Sequence, residues 1–158
     1  MGNSIVNQIP IDLKDAMLAK DKVKLAALRA IKSAFLLEIT KDGSKSELSD
    51  TAAQKIISKL HKQRMDAYKI YIDQISYLLN NLGININTVP VLDIAREKTS
   101  KVIGDRSFSK NKKIVNIFGN FTINQFHKNN IATVIKHIPG HGLGKVDSHY
   151  KLPIVNNS

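Results

Sequence analysis

The feature that most constrains this chain is an apolar stripe that continues at helical spacing for about thirty residues, more than twice the usual helix length. Ser49 or Asp50 can cap this helix, and the first stop signals are Asn80, Asn81 and Gly83. A helix this long needs an explanation in the organisation of the chain. The stripe consists of Ala53, Ile56, Ile57, Leu60, Arg64, Tyr68, Tyr71, Ile72, Ile75, Leu78 and Leu79.

Two further helices are predicted before the long one. Asp12 is placed to cap a short helix that ends at Ala19, and Asp21 is placed to cap a second helix over residues 22–40. Residues 41–46 are polar and predict a turn. The first part of the chain is therefore expected to be helical.

The pattern changes after the long helix. Residues 84–87 alternate like a strand, Pro90 ends that strand, residues 112–128 predict a helix, and residues 131–135 predict a second strand. Alternating strands and helices are typical of a parallel sheet. We therefore expect a helical part over residues 1–73 and an α/β part over residues 74–158.

Composition excludes several classes of protein. The chain has no cysteine, so disulfides and thiolate chemistry are excluded, and its apolar runs are too short to span a bilayer. A cytoplasmic protein without membrane contact is expected. The net charge of +11 permits nucleic-acid binding, but the excess is spread along the chain, so a solvated basic surface explains it equally well.

Titratable groups are concentrated in residues 136–149, directly after the second predicted strand. His137, His141 and His149 lie there with Lys136 and Asp147. The three histidines and the aspartate could bind zinc, but Pro139 and Gly140 break any helix that would align them. Acid/base chemistry is the other interpretation, because histidine titrates near neutrality. A phosphate-binding loop does not fit, since Val146 stands where it needs Ser or Thr.

The α/β part resembles glycoside hydrolase family 3, and within it the bacterial β-N-acetylhexosaminidases that release N-acetylglucosamine from peptidoglycan fragments during recycling. The matching blocks lie at residues 82–87, 90–93, 102–108, 136–142, 147–149 and 152–153. The resemblance implies a fragment of a (β/α)8 (TIM) barrel. The expected fold class is thus an α+β composite, a helical segment followed by a barrel fragment.

The same resemblance implies the site residues and their roles. Arg106, Lys136 and His137 would hold an N-acetylglucosamine-containing glycan, and His149 would be the general acid/base, oriented by Asp147. No cofactor and no metal are expected.

A retaining glycosidase also needs a carboxylate nucleophile, which the resembled family carries beyond the segment matched by His149. We expect no nucleophile in this chain, and hence impaired or absent activity for the chain alone. An inactive product of gene fusion or decay is the corresponding alternative.

Residues 12–73 carry a second resemblance, to the YqeY-like proteins, which are related to the tail domain of the tRNA-dependent amidotransferase B subunit. The similarity lies in the segments 13–17, 21–25, 28–34, 48–50 and 62–66. It implies a helical binding module, with tRNA or a protein as the possible partner. Under this interpretation the long helix joins the two parts near residues 71–74.

Overall fold

A computed structural model describes residues 4–41, 47–96, 102–138 and 140–154. The chain divides into two compact units, Met1–Ala67 and Tyr68–Ser158. Both this division and the boundary expected at residue 73 fall within the same long helix. The predicted turn at residues 41–46 lies almost entirely outside the described residues.

The first unit is built from helices α1 (Ile5–Leu18) and α2 (Lys22–Thr40) and from the first part of α3 (Asp50–Asn81). The prediction for α2 is confirmed at both ends, and the Asp21 side chain accepts a hydrogen bond from the Lys24 amide at 3.0 Å. Buried apolar side chains from all three helices form one core. They are Ile9, Ala16, Leu28, Phe35 and Ala53.

The predicted start of the first helix is wrong, because α1 begins at Ile5 instead of after Asp12. The Ile5 amide and the Ser4 hydroxyl both donate to Asp50 Oδ1 at 2.8 Å. A helix needs partners for its first N–H groups, and here the start of α3 supplies one of them. Asp12 instead accepts a hydrogen bond from Gln8 Nε2 within the helix, at 3.1 Å.

Helix α3 has 32 residues, so the prediction of one uninterrupted helix is confirmed. The Ser49 hydroxyl accepts from the Ala52 amide at 3.3 Å and caps its start. At its end, Gly83 has φ +73°, and the amides of Gly83 and Ile84 donate to the carbonyls of Asn80 and Leu79. This is a Schellman motif, which favours glycine because the turn requires positive φ.

The second unit contains the end of α3, strands β1 (Ile86–Asn87) and β2 (Ala132–Thr133), and helix α4 (Lys112–Lys128) between the strands. The two strands are parallel, with Ile86 opposite Ala132. The bounds predicted for α4 are confirmed, and Asn111 caps it by accepting from the Lys113 amide at 2.9 Å. Both strands are shorter than the sequence predicts.

The two faces of this sheet differ. Ile131 is fully buried and packs with Ile72 of α3 and Phe126 of α4. On the other face, Ile86 and Val134 are 53% and 49% exposed. Residues two apart on a strand point the same way, so the exposed side chains form one apolar surface opposite the helices.

An aromatic cluster centred on Tyr68 joins α3 to α4 within the second unit. The Tyr68 ring stacks on Phe121 and meets the edge of Phe118, with ring centroids 5.7 Å apart in both pairs. The Tyr68 hydroxyl is 2.7 Å from Thr122 Oγ1. Burial raises the pKa of Tyr68, although the hydrogen bond with Thr122 opposes the increase.

None of the helices among the described residues combines the length and the apolar content that a membrane span requires.

Candidate active site

The site begins where the chain leaves β1 and β2. Beyond the strands, Val91 and Lys136 form a parallel bridge, and the Lys136 amide donates to the Pro90 carbonyl at 3.1 Å. The next residues along the two segments are Leu92-Asp93 and His137. The register therefore brings Asp93 and His137 together at the carboxyl end of the sheet, which is where α/β proteins bind ligands.

Asp93 is the central group of this end of the sheet. Its side chain has no solvent exposure. Oδ2 accepts from the His137 amide at 3.2 Å and lies 2.6 Å from His137 Nδ1. Oδ1 accepts from the amides of His141 and of Gly142, the latter at 2.9 Å. One buried carboxylate thus holds His137 and the loop that follows it.

Asp93 is ionised because its hydrogen bonds outweigh the cost of burying it. Burial by itself raises the pKa of Asp93. The His137 side chain and the His141 and His137 amides stabilise the charged form, and the net result is a pKa below the ordinary value.

The three predicted sugar-binding residues line two cavities. Lys136 and Arg106 line a cavity of about 390 Å³ whose wall includes the aromatic rings of Tyr68, Tyr71 and Phe108. His137 lines a smaller cavity of about 140 Å³ with Asp93 and Arg96. The structure brings Lys136 and Arg106 to one cavity and places His137 in another.

Arg106 and Lys136 both make hydrogen bonds within the protein. Arg106 closes the short 3-10 helix Gly104–Arg106, and its guanidinium donates to the carbonyls of Val102 and Ile103. Lys136 Nζ donates to Thr88 Oγ1 at 3.2 Å. An arginine has five N–H donors and a lysine three, so both keep donors for a ligand.

Asp147 and His149 form a pair on the outer loop. His149 Nδ1 lies 2.6 Å from Asp147 Oδ1, which also accepts the His149 amide at 2.9 Å. Hydrogen bonds from the His149 backbone and side chain hold the pKa of Asp147 below its usual value. The His149 side chain is 76% exposed, and neither residue lines the two cavities above. The arrangement has the geometry of an oriented histidine open to solvent.

The zinc interpretation finds no support in the described part of the chain, where no three His, Asp or Glu residues are grouped as a metal site requires. His141 is instead bonded through Nε2 to Ser148 Oγ at 3.0 Å. Its Nδ1 is buried and has no hydrogen-bond partner among the described residues.

The role of Asp93 in the site was not predicted from the sequence. The available signal was its position directly after the segment Pro90-Val91-Leu92. Its donors are 44 to 49 residues away in sequence, so no local pattern identifies them.

Comparison with known proteins gives a family match over most of the chain. Residues 18–158 match the family model described as the glycosyl hydrolase family 3 N terminal domain. The match therefore includes most of the helical part, and the resemblance of residues 12–73 to YqeY-like proteins stays a prediction.

The similar curated proteins are hexosaminidases. The chain is 40% identical over 79 residues to beta-hexosaminidase A of Pseudoalteromonas piscicida, covering 50% of this chain and 13% of that protein. It is 30% identical over 149 residues to the beta-hexosaminidase of Tolumonas auensis, covering 87% of this chain and 44% of that protein. The chain spans less than half the length of either relative.

A solved structure agrees with these relatives. It belongs to a fungal multi-domain GH3 beta-N-acetylglucosaminidase, with 35% identity and a TM-score of 0.55 over 60% of this chain and 11% of that one. By its family match, the chain belongs to glycosyl hydrolase family 3, within that family's N-terminal domain.

Proposed function

We propose that this chain carries the sugar-binding and acid/base part of a β-N-acetylhexosaminidase that releases N-acetylglucosamine from peptidoglycan-derived fragments. The observation that carries the proposal is the Asp147–His149 pair, separated by 2.6 Å in a family 3 chain whose relatives are named hexosaminidases. In this proposal the reaction takes place in the cytoplasm and needs no cofactor.

The roles follow from the chemistry of the side chains. His149 donates a proton to the leaving oxygen and later removes one from water, while Asp147 holds Nδ1 and leaves Nε2 for proton transfer. Lys136 and Arg106 donate hydrogen bonds to sugar hydroxyls or to the acetamido oxygen from one cavity wall. His137 contacts the sugar from the neighbouring cavity.

The proposal includes a fold, a fragment of a (β/α)8 barrel. The parallel β1 and β2, the intervening α4 and the apolar face opposite the helices support it, because barrel strands bury that face against the other strands.

Neither carboxylate of the site is available as a nucleophile. Asp93 is fully buried, accepts three backbone N–H groups and lies 2.6 Å from His137 Nδ1, and Asp147 is bonded to His149. A retaining mechanism needs a carboxylate that faces the anomeric carbon. We therefore propose that the chain alone binds the sugar and turns it over slowly or not at all.

Two measurements test the function. The first is hydrolysis of a chromogenic N-acetyl-β-glucosaminide, and the second is binding of N-acetylglucosamine followed by the amide NMR signals of Lys136 and His137. If turnover is present, His149→Ala should reduce it by about 10²- to 10⁴-fold, the usual contribution of a general acid/base. His61→Ala, which removes an exposed histidine of α3 in the first unit, is the matched control. Absence of both turnover and binding would overturn the proposal.

A second candidate function is a helical binding module for tRNA or an amidotransferase-like partner in residues 12–73. Its support is the separate core of the first unit. Salt-dependent binding of tRNA to the full chain tests it. Replacing the exposed Lys22, Lys24 and Arg29 by Gln should weaken binding more than replacing Lys112, Lys113 and Lys128 by Gln. Equal losses of binding from the two sets of substitutions would mean that tRNA binding depends on the overall charge of the chain and not on the first unit.

A further inference from the structure

We propose that Asp93 is a positioning residue, whose buried carboxylate fixes His137 as the Nδ1-protonated tautomer and leaves Nε2 as the acceptor for a sugar hydroxyl. The consequence for catalysis rests on the proposed function. The tautomer itself is a property of this chain and can be measured without any ligand.

The two carboxylate oxygens of Asp93 determine which nitrogen of His137 carries the proton. An ionised carboxylate only accepts hydrogen bonds, so the atom 2.6 Å from Oδ2 must carry a proton. That atom is Nδ1 of His137. A neutral imidazole has one N–H, and its other nitrogen, Nε2, is then an acceptor.

The Nε2 edge of His137 is free to bind. The side chain is 36% exposed and lines the cavity of about 140 Å³, and no described residue forms a hydrogen bond with Nε2. Sugar hydroxyls donate and accept, so an acceptor nitrogen at a fixed position recognises one of them.

The carboxylate also fixes the ring in space. Oδ2 holds the His137 amide as well as the ring, and Oδ1 holds the amides of His141 and Gly142. All four acceptor positions of Asp93 are therefore used by the segment 137–142. Histidines that bind metals are oriented in the same way by a second group on the remote nitrogen.

Asp93→Asn is the informative substitution, since it keeps the shape and replaces one acceptor oxygen by an NH₂ group that faces N–H donors. With the amide nitrogen toward His137, Nδ1 becomes an acceptor and the tautomer is reversed. With the amide nitrogen toward His141 and Gly142, the loop loses two hydrogen bonds. Asp66→Asn, at an exposed position of α3 in the first unit, is the matched control.

The first experiment measures the ¹⁵N chemical shifts of the His137 ring in the full chain without ligand. The shifts are recorded over a pH series, and the expected result is that the singly protonated ring carries its proton at Nδ1. A ring protonated mainly at Nε2 overturns the inference, whatever the chain does with sugars.

The second experiment is a double-mutant cycle on N-acetylglucosamine binding, measured by NMR titration. If Asp93 acts through His137, Asp93→Asn and His137→Ala should each weaken binding by about 10-fold, and the double variant should bind no worse than His137→Ala alone. Additive losses would overturn the positioning role and leave only a structural one.

The two proposals fail in different ways. If the wild-type chain shows the Nδ1-protonated ring but does not bind the sugar, the proposed function is wrong and the tautomer assignment stands. If the sugar binds and Asp93→Asn has no more effect than Asp66→Asn, the function stands and the role of Asp93 is wrong.

Discussion

The loop that follows β2 packs against the chain near Asp93 so closely that one added methyl group has no room. A Cβ atom on Gly142 would lie 2.8 Å from the Ile94 carbonyl oxygen, and the Gly142 amide donates to Asp93 at 2.9 Å. Backbone cannot move aside as the end of a side chain can. The loop conformation therefore depends on a glycine at this position.

We expect Gly142→Ala to destabilise the second unit by about 1–3 kcal/mol, the usual cost of overpacking, and to disturb the His137 and His141 amide signals. Urea unfolding and amide NMR measure the two effects.

Gly119→Ala is the matched control. Its Cβ would lie 2.6 Å from the flexible end of Leu92 and at ordinary contact distance from Pro90 Cγ, and alanine favours the α4 helix by up to about 1 kcal/mol. Equal destabilisation by the two variants would contradict the prediction.

At the scale of elements, the local signals were sufficient for α2, α3 and α4 and misleading for α1. The bounds of α2 could be predicted because Asp21 caps it from an adjacent position, and those of α4 because its apolar residues recur near helical spacing. The start of α1 could not, because its partner Asp50 is 45 residues away from Ile5. The role of Asp93 could not be predicted either, because its hydrogen-bond donors are 44 to 49 residues away in sequence.

Asp73 joins α3 to α4 in the second unit. It accepts from Lys69 at 2.8 Å, from Gln125 at 2.5 Å and from Asn129 at 2.7 Å. These hydrogen bonds, that of Lys69 first, lower the pKa of Asp73 to about 2. The ionised form is thus favoured by the fold.

Because the fold lowers the pKa of Asp73, the pH dependence of the free energy of unfolding has a defined sign. A carboxyl group whose pKa is lower in the folded state stabilises the fold above its ordinary pKa of 3.8, and this contribution is lost as the pH falls toward 2. We expect Asp73→Asn to reduce stability at pH 7 by about 1 kcal/mol, a modest value because the side chain is 32% exposed.

Urea unfolding of wild type and Asp73→Asn between pH 7 and pH 2 measures the difference. The two curves should converge in acid, while Asp66→Asn should follow the wild type throughout. A difference in the free energy of unfolding that stays constant at all pH values would exclude the ionisation of Asp73 as the cause of the destabilisation.

At the scale of the whole molecule, the sequence predicted the order of elements and the family but not the lengths of the strands. Strand length depends on the neighbours that a strand pairs with. Among the described residues, β1 and β2 pair over two residues each, with one further bridge between Val91 and Lys136. The predicted sugar-binding residues also lie in two cavities, although Lys136 and His137 are adjacent in sequence. Spacing along the chain does not show which cavity each side chain lines.

The aromatic cluster predicts a specific titration curve. Tyr71, Tyr77 and Tyr150 are 57%, 67% and 86% exposed, whereas burial raises the pKa of Tyr68. Absorbance of the phenolate band should show a late step from Tyr68, at a pH above the ordinary tyrosine pKa of 10.0. Tyr68→Phe should remove this late step, and a late step that survives in Tyr68→Phe would contradict the assignment.

The aromatic cluster also provides an intrinsic spectroscopic probe of the fold. The chain has four tyrosines and no tryptophan, so tyrosine emission is not masked by energy transfer to an indole. Tyr68 reports on the contact of α3 with α4 through its hydrogen bond to Thr122. Because the neutral phenol is favoured in the folded state, the stability that it contributes is lost as the pH rises through the pKa of Tyr68. Unfolding of the second unit can therefore be followed by tyrosine fluorescence and absorbance, without an added label.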